Sequence, residues 1–127
     1  MLQHQYLDRP FGLEPLLCER MPEVSADGLT YTFTLRKGIH FADDPCFTAT
    51  GGRGRELTAF DAAYSLRRLA DLKVASVGWW ILDGKVKGLD AWRATTGGET
   101  PSDYGAPVEG LQVVDTHTLR IVLNQPY

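Results

Sequence analysis

No stretch of this 127-residue chain is apolar for the roughly 18 residues that a membrane-spanning helix needs. A membrane span is therefore not expected. Cysteine is scarce: Cys18 and Cys46 stand alone, neither in a Cys-x-x-Cys pair, which excludes the common zinc and redox motifs. The two are either buried free thiols or one disulfide, and spacing leaves both open. Positive charge is not in excess. Thirteen Lys and Arg against sixteen Asp and Glu give a net charge of −3, which argues against a nucleic-acid partner. The cluster of Arg53, Arg55, Arg67 and Arg68 is interrupted by Glu56 and Asp61 and reads as solvated surface. Met1 to Pro10 carries Gln3, His4, Gln5, Asp8 and Arg9, so no apolar signal-peptide core is expected there. The three histidines, His4, His40 and His117, are dispersed. Neither a Gly-x-Ser-x-Gly elbow nor a His-Glu-x-x-His zinc motif occurs. With no nucleophile, base and orienting group in view, the chain is not expected to be an enzyme, and no catalytic residue, metal or cofactor is assigned.

What is present fits one globular domain over residues 1–127, with 43% hydrophobic and 23% charged residues. Leu2 to Leu7 reads as an edge strand, Asp8 to Gly12 as a turn, and Leu13 to Glu19 as a short helix with Pro15 in its first turn. Met21 to Val24 leads through the Asp27-Gly28 turn signal into Thr30 to Arg36. There Tyr31, Phe33 and Leu35 alternate strictly with threonines, the pattern of a half-buried antiparallel strand. Thr58 to Asp71 is the best helix, capped by Thr58 with Asp61 three residues on. Its expected buried face is Ala59, Ala62, Ala63, Leu66, Leu69 and Ala70, with Asp61, Arg68 and Asp71 opposite and Tyr64 beside them. Leu89 to Thr96 suggests a second, shorter helix, entered at Asp90. A hairpin over Leu111 to Asn124 closes the chain, with Leu119, Ile121 and Leu123 on one face. The expected class is α+β: a small, mainly antiparallel β-sheet with helices packed on one face.

Few residues invite a chemical reading. The Gly51-Gly52-Arg53-Gly54-Arg55 run lacks the Gly-Lys-Ser/Thr ending of a phosphate loop and reads as surface loop. Asp43 and Asp44 are adjacent on an extended chain and point apart, so joint chelation is not expected. Cys18 with His40 as a thiol dyad has no support in the spacing. Trp79 and Trp80 are the only ligand-binding candidates, because tryptophan offers a large rigid apolar surface with one donor. The competing reading is that one ring closes the core while the other covers a loop.

The run from Asp27 to Phe41, Asp-Gly-Leu-Thr-Tyr-Thr-Phe-Thr-Leu-Arg-Lys-Gly-Ile-His-Phe, resembles the signature of family 5 extracellular solute-binding proteins. So do Thr58-Ala59-Phe60-Asp61 followed by Ser65-Leu66-Arg67-Arg68, the ending from Val114 to Leu119 with Asn124-Gln125-Pro126-Tyr127, and Leu16-Leu17-Cys18-Glu19. The chain departs from the pattern at Phe60, where an acidic residue is usual, and in the longer loop from Asp43 to Glu56. The resemblance implies a subdomain of a periplasmic-binding-protein type II-like fold, the accessory subdomain of the first lobe. It implies peptide or other small-solute capture for the permease of an ABC transporter, a periplasmic location, and free thiols at Cys18 and Cys46. Members of that family run to several hundred residues, so the chain is expected to be a fragment whose cleft residues lie mostly elsewhere.

Overall fold

The computed structural model describes residues 1–7, 9–10 and 12–127. Asp8 and Phe11 of the expected turn lie outside the described residues. Among the described residues, two antiparallel sheets and two α-helices form. The smaller pairs β1 (Leu2–Gln5) with β2 (Gly12–Pro15). The larger has four strands, β3 (Glu23–Val24), β4 (Thr30–Thr34), β5 (Leu111–Asp115) and β6 (Thr118–Val122), in the spatial order β3-β4-β6-β5. Two helices, α1 (Ala59–Ala70) and α2 (Leu89–Ala94), complete the regular structure.

The expected helix from Leu13 to Glu19 is replaced by β2 and an extended continuation. The backbone of residues 12 to 15 finds partners in β1, with Pro15 opposite Leu2 at the end of the ladder, where its missing N–H costs little. Further on, Cys18 makes an isolated bridge to Leu35. A helix there would need to be short and would forfeit these pairings.

The β3–β4 turn follows its sequence signal. Gly28 has φ +70, a conformation that costs glycine little, and the Asp27 carboxylate accepts the Leu29 N–H at 3.0 Å. The inner face of β4 and β6 carries Tyr31, Phe33, Leu119 and Ile121, paired in register as Tyr31 with Ile121 and Phe33 with Leu119. Leu119 and Leu35 are fully buried, whereas Tyr31 and Phe33 are half-buried.

At the start of α1, Asp61 reaches back to accept the Thr58 N–H at 2.8 Å, and the Ala59 N–H donates to Thr116 O in the β5–β6 turn at 2.8 Å. Its buried residues are Ala59, Ala63, Arg67 and Ala70. The expected face is therefore rotated. Leu66 is half-buried, Arg67 is buried, and Asp71, expected to be solvent-facing, is 3% exposed. Asp71 tolerates burial because its carboxylate accepts the Tyr104 hydroxyl at 2.7 Å and the Lys73 N–H at 2.9 Å. Arg68 is exposed, as its position suggests.

Two apolar clusters lie beneath α1. One gathers Cys18, Leu35, Ala59, Ala63 and Leu119. The other gathers Ala70, Val86, Leu89, Trp92, Val108 and Leu111. Leu66 and Ile121 pack against both. Gly110 sits where three backbone segments converge: a Cβ there would meet Lys87 N and O at 2.6 Å and Val122 O at 2.7 Å.

Candidate solute-binding surface

The strongest hollow in apolar character lies over the inner face of β4 and β6. It measures about 590 Å³ and is lined by Tyr31, Phe33, Leu66, Trp80, Ile121 and Tyr127, with Ile81, Leu82, Val86 and Leu123 completing it. Strand alternation puts Tyr31, Phe33 and Ile121 on this side, and α1 packs chiefly on β5 and β6, which leaves these three half-buried. The far wall is the short 3₁₀ turn Trp79–Ile81. There the tandem tryptophans part company. Trp79 packs against the Trp92 cluster and carries the Arg93 guanidinium 4.5 Å from its ring centroid. Trp80 is 71% exposed and lines the hollow. One ring therefore belongs to the core and one to the groove.

Among the described lining residues the one charged side chain is Lys85, whose ammonium donates to Ile81 O at 2.9 Å and lies 4.8 Å from the Tyr127 ring centroid. Among the described lining residues there is no carboxylate, imidazole or thiol. Such a surface can bury apolar side chains and orient them against ring faces, and it has no group to move a proton.

The other residues that invited chemistry are spent on structure. Asp43 accepts the Gly54 N–H at 2.9 Å and Asp44 the Cys46 N–H at 2.8 Å, so each carboxylate holds a bend of the 43–56 loop. Within the Gly-rich run, Gly54 passes so close to Phe41 that a Cβ would fall 1.7 Å from Phe41 O. His117 Nε2 and the Gly38 N–H both meet Glu56 Oε1, at 3.0 and 2.7 Å, and these bonds hold the Glu56 carboxyl below its usual range. His40 is exposed and bonds Gly38 O. Cys18 is buried and Cys46 exposed, both as free thiols, and burial pushes the Cys18 thiol up. Among the described residues no three His, Cys, Asp or Glu side chains cluster as metal ligands, and no helix is long and apolar enough to cross a membrane.

Tyr31 and Phe33 have the alternation of core residues, and periodicity cannot tell a covered sheet face from an uncovered one. Only the length and placement of α1 decide that, so their role in the groove was not legible. Tyr127 stood out only as the end of the Asn124 to Tyr127 run, with no sign of a binding role, and Lys85 gave no signal at all.

Residues 12–127 match the model of the bacterial extracellular solute-binding proteins, family 5. The chain belongs to this family. It is 38% identical over 115 residues to the oligopeptide-binding protein AmiA of Streptococcus pneumoniae, covering 91% of this chain and 15% of that protein. A shorter stretch of 59 residues is 44% identical to heme-binding protein A of Haemophilus influenzae, covering 46% of this chain and 10% of the relative. The fold is similar to the substrate-binding domain of an oligopeptide ABC transporter from Bacillus anthracis, with a TM-score of 0.66 and 29% identity over 95% of this chain and 20% of that one. This family 5 chain thus spans a small part of each relative's length. The antiparallel sheet with its helices is a region of the type II-like substrate-binding fold, as the Asp27 to Phe41 run implied.

Proposed function

We propose that this chain is the accessory subdomain of the first lobe of an extracytoplasmic solute-binding protein. The longer protein would capture peptides, or a related small solute, and deliver them to the permease of an ABC importer. It would work in the periplasm, reach the membrane through the transporter, and carry out no chemistry on its ligand. The observation that carries this reading is the family match across residues 12–127, joined to relatives named for oligopeptide binding. The groove over Tyr31, Phe33 and Trp80 is in keeping with it, being apolar and free of acid–base groups. A sheet edge that recruits a protein partner is not favoured by these likenesses.

Relatives named for oligopeptide binding and for heme binding both match stretches of this chain, in keeping with a region that proteins of different ligand specificity share. Ligand specificity belongs to the remainder of the two-lobed protein. One subdomain offers too little of the inter-lobe cleft to offset the cost of immobilising a peptide, which is about 4–15 kcal/mol. The isolated chain should therefore bind pooled di-, tri- and oligopeptides more weakly than about 1 mM. Micromolar binding in calorimetry would remove the accessory-subdomain assignment and point to Trp80 as a self-contained site. Native mass spectrometry of the longer protein, expressed without added ligand, tests the transport reading. Co-purified peptides are expected, and a protein that carries none and takes up none from a peptide library would overturn it.

A further inference from the structure

A second hollow, sharing no lining residue with the groove, runs between α1 and β5. Its volume is about 580 Å³, within the size range of small-molecule sites. Phe60, Ala63, Tyr64 and Arg67 recur at helical spacing along one stripe of α1 and form one wall. Leu111 and Val113 from β5, Tyr104 and Gly105 from the preceding loop, and the Arg55–Asp61 ion pair form the rest. The Tyr64 and Tyr104 rings meet at 4.8 Å between centroids, while Phe60 is largely exposed.

The two arginines of this hollow are in opposite states. Arg55, at the N-terminal end of α1, is matched by Asp61, whose two carboxylate oxygens take one N–H each. Arg67, two turns along, is only 8% exposed and forms no ion pair among the described residues. It donates Nη1 to Tyr104 O and lies 5.6 Å from the Trp92 ring centroid. The acid that acts on it from a distance, Asp103, spends its Oδ1 on the Gly105 and Ala106 N–H groups. A guanidinium has five N–H donors, and donors buried without acceptors are costly.

We infer that this hollow is a second ligand site, which takes a small carboxylate with an aromatic body: the carboxylate on Arg67, the ring between Phe60, Tyr64 and Tyr104. The volume favours a small acid over a protein side chain, and the unused guanidinium donors fix which end of the ligand enters at Arg67. Binding supplies the buried guanidinium with the charge-assisted bonds it lacks.

The test is amide-resolved NMR titration of the 127-residue chain with 3-phenylpropionate and with its neutral amide, 3-phenylpropanamide. The acid should shift residues 60–67 and 104–105 while leaving Trp80 and Tyr31 unmoved. It should bind at least about tenfold more tightly than the amide, the usual worth of one charge-assisted contact. Arg67→Met should abolish that preference. Because Arg67 is buried and its loss can unfold the chain, Phe60→Ala, at an exposed position, should weaken the acid severalfold in a protein whose circular dichroism is unchanged. Equal binding of acid and amide, shifts confined to the Trp80 groove, or no shift at about 10 mM acid would each overturn the inference. So would binding of glutamate-rich peptides alone, which would make the occupant a protein side chain.

Discussion

The two halves of this molecule are held together by different kinds of bond. The first, made of β3 to β6 and the start of α1, is knit by backbone ladders over an apolar layer around Leu35 and Leu119. The second, residues 71 to 108, has one six-residue helix and little other regular structure. There, side chains do the work of a ladder by bonding backbone groups. Trp92 Nε1 donates to Asp103 O at 2.9 Å, Arg93 to Ala70 O at 2.6 Å, and Thr96 Oγ1 takes the Leu72 N–H at 2.9 Å while donating to Arg93 O at 2.7 Å. A periodic half tolerates loss of any one polar side chain because its backbone groups stay paired. An aperiodic half does not, since each lost side chain orphans a buried carbonyl or N–H.

The sharpest separation should come from Leu119→Ala. It removes a fully buried side chain from the regular half and should cost about 3–5 kcal/mol in urea denaturation. Hydrogen exchange should rise throughout the chain, because β6 is the strand on which both neighbours depend. Protection retained in β4 would break the comparison. Trp92→Phe comes next. It keeps an aromatic ring in the second cluster but leaves Asp103 O without its donor, and should cost about 2–3 kcal/mol. The rise in exchange should concentrate between residues 71 and 108 while β4 and β6 stay protected.

Tyr104→Phe should cost about 1–2 kcal/mol and also change the response to alkali. Burial and the Asp71 carboxylate push the Tyr104 hydroxyl from 10.0 up to about 12. A group raised in the folded state gives its full stability below pH 10 and loses it as the pH climbs toward 12. The wild-type chain should therefore weaken across that window, and the phenylalanine variant should lack this component. Identical alkaline melts would sink the assignment.

The smallest effect belongs to the regular half. Hydrogen bonds from Arg55, and then the Thr58 N–H, hold the Asp61 carboxyl down at about 2 against the burial that opposes its charge. Its contribution is complete above about pH 4 and drains away as the pH falls toward 2. Asp61→Asn should cost about 1 kcal/mol at neutral pH and flatten the acid limb of the stability curve.

This division also explains what could be read in advance. The alternation at Tyr31, Phe33 and Leu35, the Asp27-Gly28 turn, the Thr58 cap and the final hairpin are local, repeating signals, and each folds as its pattern implies. Leu13 to Glu19 misled because a short apolar stretch has no period of its own, and the β1 ladder decided it. Asp71 and Arg67 were misplaced for a related reason. Their burial depends on Tyr104, a residue far along the chain in a segment with no pattern. Of the tandem tryptophans, the split into one core ring and one exposed ring was among the readings open from the start. Which was which depended on where α2 set Arg93.

The first N–H of α1 is satisfied by Thr116 O, and β4 sits between β3 and β6 although β6 is the last strand in the sequence. A ribosome delivers these parts in order. Strand β4 and helix α1 emerge early and must wait, one unpaired along an edge and the other uncapped at its first N–H, until the closing hairpin arrives. For that interval the open edge of β4 is available to anything nearby, including another nascent copy.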